Sequence, residues 1–263
     1  MKGLYLSEVK KELAKYSNYA NDIITENHIA SLPEPVQKYF RHCGYLGKEK
    51  MINAEFEWND VYLKMSPHKK WISLKCYQFN SVLEPTRIVY MKSNIIGIFP
   101  FEGRDKYQDG KGNMLIKLLK LITIADVKSK EMDESALVTV LAECFLVPTY
   151  ALQPYIKWIE IDLNTAKAVI RCNESEVSGL FFFDDHGKFI RFETDDRHYS
   201  EKGTEYKKYK WSVVAGNYIE KNGIKFPTYL RAMWHTEEGE FEYFKGNIAN
   251  IKFNLHRPHN SSI

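Results

Sequence analysis

The sequence contains no apolar run near the roughly 18–20 residues of a membrane-spanning helix. Its most apolar stretch, Met114 to Ala125, is short and interrupted by Lys117 and Lys120. The N-terminus, Met1-Lys2-Gly3-Leu4-Tyr5-Leu6-Ser7-Glu8, lacks the apolar core of about 7–15 residues that marks a secretory leader. The cytoplasm is therefore the expected compartment. Cysteine is scarce: Cys43, Cys76, Cys144 and Cys172 are the only four, and no two form a Cys-x-x-Cys pair. That spacing excludes a local thioredoxin-type dithiol or zinc knuckle and predicts buried, reduced thiols. Charge of one sign is also lacking, since 37 basic against 34 acidic residues leave +3, far below the excess of a general nucleic-acid binder.

Catalytic signatures are missing too. There is no Gly-x-Ser-x-Gly elbow, no His-Glu-x-x-His pair, no phosphate-binding Gly-Lys-Ser/Thr and no Gly-x-Gly-x-x-Gly after a strand. The eight histidines never recur at the i,i+4 spacing that puts two ligands on one helix face. No metal and no cofactor is expected. The sequons at Asn173 and Asn260 are read as accidental, and the His256–Ile263 tail as a frayed end.

Aromatic residues are abundant. They make up 14% of the 263 residues, with 17 Tyr, 15 Phe and 5 Trp, and they favour pleated, half-buried surfaces. A chain of this length buries enough surface to fold without disulfides or metal. Leu6 to Asn27 reads as an amphipathic helix with Val9, Leu13, Tyr16, Ala20 and Ile23 on one face. A second helix is predicted from Pro33 to Cys43, ending at Gly44. Period-two alternation then marks strands at Ile52–Asn59, Trp71–Phe79, Arg87–Lys92 and Ile95–Phe101, with a turn at Asn94 and a fifth strand entering Arg104 to Gly112.

Met114, Leu115, Leu118, Leu119 and Ile122 suggest a helical stripe. A further helix, capped by Asp133 or Ser135, carries Leu137, Val140, Leu141, Cys144 and Phe145 and ends before Pro148. Seven more strands follow: Ile156–Asp162, Ala166–Cys172, Val177–Phe183, Phe189–Asp195, Tyr206–Tyr218, Ile224–Ala232 and Phe241–Leu255. Connections are too short for parallel crossovers, so the sheet should be antiparallel. The fold class expected is α+β, mainly β: a large curved antiparallel half-barrel with N-terminal helices and a central helical insertion. One domain is expected, divided into 1–45, 52–112, 113–150 and 155–255.

Several segments, taken in order, resemble an uncharacterised bacterial family, a domain of unknown function. They are the Leu-Pro-Glu-Pro-Val run from Leu32 to Tyr39, the glycine-rich Gly103–Gly112, Leu141-Ala142-Glu143 with Pro148, Asp162 to Ala166, Phe181 to Gly187, and Gly223, Pro227 and Trp234. The resemblance spans roughly 30 to 255. Where that family tends to have Trp before the proline, this chain has Phe145-Leu146-Val147. A site lined by that Trp would be altered here. By strand count the family is similar to the curved half-barrels of periplasmic lipoprotein carriers, which implies a fold and no activity.

Candidate site residues come from three places. Within Gly103–Gly112, Asp105, Tyr107 and Asp109 lie among glycines that allow tight turns and close backbone approach. The plainer reading is a hairpin-to-helix connection. Glu143 sits in the most apolar helix, where a carboxylate either pairs with a cation or resists ionisation. A salt bridge to Arg104, Arg191 or Arg197 is the plain reading. Arg191, Glu193, Asp195 and Arg197 alternate and should share one strand face. Arg87, Arg171 and Arg231 are positioned to add to a polar cleft, where arginine selects carboxylate or phosphate. Lys202 to Lys210, with its tyrosines, reads as a sheet edge guarded by lysines rather than a nucleic-acid groove.

Three functions are left open. The first is a non-catalytic binder of a small amphipathic or lipid-like molecule, in a cavity of several hundred Å³. Asp105, Tyr107, Asp109, Glu143, Arg191, Asp195, Arg197 and Trp234 would surround that ligand. The second is an enzyme with Glu143, Asp105 or Asp195 as acid/base and Arg197 as anchor on a small anionic or carbonyl substrate. The third is an interaction module that docks through its first helix. Oligomeric state is not legible.

Overall fold

Period-two alternation runs through most of the chain, and thirteen strands form among the described residues. The computed structural model describes residues 1–16, 22–95, 99–200 and 205–258. Six strands follow the N-terminal helices: β1 (Asn53–Leu63), β2 (Ile72–Ser81), β3 (Thr86–Ile95), β4 (Phe99–Gln108), β5 (Lys111–Leu118) and β6 (Ile122–Val127). Seven follow the central helix: β7 (Ile156–Asp162), β8 (Thr165–Cys172), β9 (Ser175–Phe183), β10 (Phe189–Tyr199), β11 (Lys207–Lys221), β12 (Ile224–Thr236) and β13 (Gly239–Phe253). All pair antiparallel in one open, curved sheet, ordered β6-β5-β4-β3-β2-β1-β13-β12-β11-β10-β9-β8-β7.

This order states the path of the chain. It enters mid-sheet at β1, walks outward hairpin by hairpin to the β6 edge, crosses to the opposite edge at β7, and walks back until β13 pairs with β1. The crossing is made by helix α4 (Lys130–Ala142) and two 3₁₀ turns at Cys144–Leu146 and Pro148–Leu152. α4 packs against β4 and β5 on one side and β8, β9 and β10 on the other. Its buried residues (Leu137, Val138, Val140, Leu141, Ala142) point in nearly every direction, as expected of a helix surrounded by protein.

The other helices are α1 (Lys2–Ala14), α2 (Glu26–Ile29) and α3 (Glu34–His42). α1 lies on the outer face of the first meander. Tyr5, Val9 and Leu13 pack there on Tyr77, Phe79, Ile88 and Tyr90. The fully buried Glu12 accepts from Tyr16, Thr86 and Gln108. The same strands present Cys76, Gln78, Arg87 and Val89 to the inside, so β2 and β3 are covered on both faces. α3 closes one end of the interior. Tyr39 and Phe145 rings lie 4.4 Å apart, and Phe145 continues into Phe181, Phe183 and Phe189. No helix among the described residues is long and apolar enough to cross a membrane.

The mainly-β antiparallel architecture with N-terminal helices is as expected, but several boundaries move. The first helix begins at Lys2 and ends at Ala14. Ile23 is half exposed rather than part of the stripe, and Ala20 lies outside the described residues. Asn94 stands inside β3, opposite Pro100, and is not a turn. The helix predicted over Met114 to Ile122 is instead β5, a turn at Leu119 and Lys120, and the start of β6. Short apolar runs satisfy both periods. Here the Asp109-Gly110 reversal, with φ of 54° and 77°, aligns Lys111–Leu118 with β4 and decides for strand.

Gly103–Gly112 is therefore a hairpin, not a link into a helix. α4 is capped by Ser129, whose hydroxyl accepts from the Met132 amide at 3.2 Å. Asp133 instead accepts from the Gly112 amide at 2.7 Å, and Ser135 from the His198 amide at 3.1 Å. Both tie the helix to the sheet. β11 is interior to the sheet, so Lys207 to Lys210 guard no edge; Lys202 lies outside the described residues.

At Gly112 the start of α4 rests directly on β5. A Cβ there would stand 2.4 Å from the Met132 carbonyl oxygen and 3.0 Å from the Ala136 Cβ. Gly112→Ala should lift the helix and cost about 1–3 kcal/mol, read as a lower urea midpoint at unchanged slope. An unchanged midpoint would show that the contact yields freely.

Candidate functional site

Crossing the concave face leaves α4 one helical face toward the sheet interior. Thr139, Ala142 and Glu143, at i, i+3 and i+4, line a cavity of about 150 Å³ there. Its walls are mostly apolar: Trp58 and Leu63 of β1, Val89 and Met91 of β3, Met114 of β5, Val213 of β11, Leu230 and Ala232 of β12, and Tyr243 and Phe244 of β13. Both meanders contribute. The cavity is smaller than the several hundred Å³ expected, because α4 and the Phe145 cluster fill most of the concave face. It still exceeds a single water and matches the void that takes one benzene ring.

At one wall lies a buried ion cluster. Arg87 of β3 donates through Nε to both Glu143 oxygens at 2.9 and 3.0 Å, and through Nη1 to Asp105 Oδ2 at 2.6 Å. Gln78 and Asn80 of β2 add amide bonds to Glu143 Oε2 at 2.6 and 3.3 Å. Alternation explains the assembly: Gln78 pairs with Val89 and Asn80 with Arg87, while Val89 pairs with Asp105, so all these side chains project inward. Burial opposes the charge on Arg87, but Glu143 and Asp105 together outweigh it and hold the guanidinium firmly protonated. One cation thus serves two carboxylates.

A second wall is cationic. Thr194 and Arg197 of β10 are separated by a bulge against β11, which breaks strict alternation. Asp195 is therefore exposed, whereas Arg197 reaches the cavity. Its guanidinium carbon lies 4.2 Å from the Trp211 ring centre and 5.6 Å from that of Trp234. Nη1 donates to the Ser135 carbonyl at 3.1 Å and to the Thr139 hydroxyl. Arg231, also on this cavity, pairs with Glu242 at 3.3 Å.

The candidate residues therefore separate. Asp105, Glu143 and Arg197 share the cavity, and Trp234 supports Arg197 from behind. Tyr107 is buried one register position away, opposite Arg87, outside the cavity lining. Asp109 sits on the hairpin turn and pairs with Lys15 at 3.0 Å on the surface. Arg191 pairs with Glu193 outside the cavity, so the four-residue charged face is split by the bulge. Glu143 takes Arg87 as partner, not Arg104, Arg191 or Arg197. Phe145, Leu146 and Val147 are all buried, and none of them lines the cavity.

Sequence reading passed over Gln78, Asn80, Thr139 and Trp211. In β2 the alternation displayed Tyr77 and Phe79 as the buried set, which they are, beneath α1. The polar set Cys76-Gln78-Asn80 is buried as well, on the other face. A separate, larger cleft of about 930 Å³ opens beside the β4–β5 hairpin. It is open, its lining residues other than glycine are polar or charged, and its Lys106, Lys111 and Lys128 are already paired with Glu8, Asp133 and Asp126.

Residues 22–246 match the model of a family of unknown function, DUF6544. No curated protein matches the chain in sequence. Among solved structures it is similar to a domain titled as an outer membrane lipoprotein-sorting protein from Vibrio parahaemolyticus, at 10% identity and a TM-score of 0.42, covering 80% of this chain and 86% of that one. It is also similar to a LolA superfamily protein from Nitrosomonas europaea, at 9% identity and a TM-score of 0.44, covering 84% and 92%.

Removing Arg87 alone strands the buried Glu143 and the half-buried Asp105, so Arg87→Met should cost about 3–5 kcal/mol near neutral pH. An unfolding free energy within about 1 kcal/mol of the unsubstituted protein would contradict it. Burial pushes the Cys43 and Cys76 thiols up to about 12. At pH 8 a thiol reagent should modify the half-buried Cys172 first and the other three only on unfolding. Equal labelling rates for all four would refute this.

Proposed function

The chain belongs to the DUF6544 family, and for it we propose a binding role: it holds a small amphipathic molecule in the cavity beneath α4 without transforming it. The observation that carries this reading is the union of apolar walls from both meanders with a fixed polar wall at one turn of α4. Apolar pockets with a few convergent polar groups are the usual form of small-molecule sites. The volume suits a ring-sized body or the end of a longer chain, rather than a whole lipid. Asp105, Glu143 and Arg197 are the polar contacts proposed. The cytoplasm is kept as the proposed compartment, and no nucleic acid is proposed as partner.

Catalysis is the second reading, because Asp105 and Glu143 converge on the same guanidinium. The geometry favours binding over it. Glu143 already accepts from Arg87, Gln78 and Asn80, which leaves little capacity to exchange a proton with a substrate. Asp195 faces away. Docking through the first helix has less support, since Val9 and Leu13 are already buried on the chain's own sheet.

Native mass spectrometry of protein purified from its own host should detect a co-purifying small molecule. A ring-sized apolar probe at about 100 times its Kd should add about 2.7 kcal/mol of stability. Ala232→Leu, which places a larger side chain in the cavity wall, should abolish the gain while remaining folded. A gain of equal size in both proteins would place the probe elsewhere and remove the reading.

A further inference from the structure

Three arginines touch the cavity, and they are not equivalent. Arg87 has two carboxylates and Arg231 has one. Among the described residues Arg197 has none within 4 Å. Its Nη1 is satisfied by neutral oxygens of α4, and its Nε is buried with no protein acceptor. The same wall-to-wall space is lined by Trp58, which is 5% exposed and whose indole N–H also has no protein acceptor. Of the acceptors on the cavity, Glu143 takes three donors, and Asp105 takes Arg87 through Oδ2. Two buried donors among the lining residues, Arg197 Nε and Trp58 Nε1, are thus left without an acceptor.

We propose that the ligand is a monocarboxylate, its oxygens held by Arg197 and Trp58 and its apolar body in the cavity beneath α4. The proposal deepens, and rests on, the reading of that cavity as a binding site. The guanidinium carbon lies 4.2 Å from the Trp211 ring centre and Nη1 is held by α4, which leaves Nε as the donor without a protein acceptor, a partner that a carboxylate oxygen matches with a charge-assisted bond. The uncompensated negative charge of the Arg87 cluster selects against a dianion. Glu143 stands one helical turn from the Thr139 that Arg197 contacts, so a second negative charge on the ligand would meet it across the cavity.

The test is calorimetric titration of the full chain with benzoate, toluene and benzylamine at low salt. Benzoate should bind about tenfold or more tighter than toluene, and benzylamine not at all. Arg197→Gln should bring benzoate down to the level of toluene, with toluene binding kept. Trp58→Phe should weaken benzoate alone. Arg197→Lys serves if the glutamine variant does not fold, and should lose part of the preference. Toluene equal to benzoate would overturn the carboxylate assignment while leaving the cavity reading intact. A preference for benzylamine would reverse the sign and overturn it. Failure of all three probes to bind would overturn both.

Discussion

The structure depends on one crossing. A sheet built outward from its middle and then inward from its far edge leaves its two edge strands joined only by the chain between Val127 and Ile156. That segment must pass over one face. An α-helix is the form in which a chain can cross a protein interior with its backbone groups satisfied along the way. α4 spans about 20 Å, and its apolar surface supplies the core that the concave face needs. Its N-terminal half is pinned to β5 through Asp133 and the Gly112 amide, and its C-terminus to β2 and β3 through Glu143. The curved sheet and the helix therefore specify each other.

The ion cluster follows from that crossing. Where α4 ends, Glu143 is buried among apolar neighbours, and an isolated carboxylate there would be costly. Arg87 and two amides meet it, and Asp105 joins on the far side. Pairs of this kind add little net stability over well-packed apolar side chains, because desolvation offsets their attraction. Their effect is positional. They fix the end of α4 against the first meander and leave a small space between the helix and both meanders, bounded on one side by Arg197 beside Trp211. The cavity is what remains once a straight helix lies in a curved trough.

Much of this order was legible. The seven strands after Pro154 appear within a few residues of their predicted limits, since long alternating segments bounded by Asn, Asp and Gly turns carry their own register. Met114 to Ile122 misled because a short apolar run fits both periods, and its pairing with β4 decided for strand. Ser129 was missed as a cap beside two other candidates that serve instead as ties to the sheet. At the site, Glu143 was marked by its apolar setting and Asp105 by its glycines. Gln78 and Asn80 were hidden because β2 is covered on both faces, and alternation reveals only one. The bulge after Thr194, which sends Arg197 inward and Asp195 outward, leaves no mark in composition.

The sequence by itself determined the strand content, the turns, the helix that must lie between two meanders, and the absence of local metal or cofactor signatures, because these are encoded in neighbouring residues. Only the tertiary structure decided that Arg87 rather than Arg104, Arg191 or Arg197 neutralises Glu143, and that among the described residues Arg197 has no carboxylate within ion-pair distance. Charge pairing across a folded sheet is set by register and bulges between strands far apart in the chain, and single-residue shifts there reverse which face a side chain occupies.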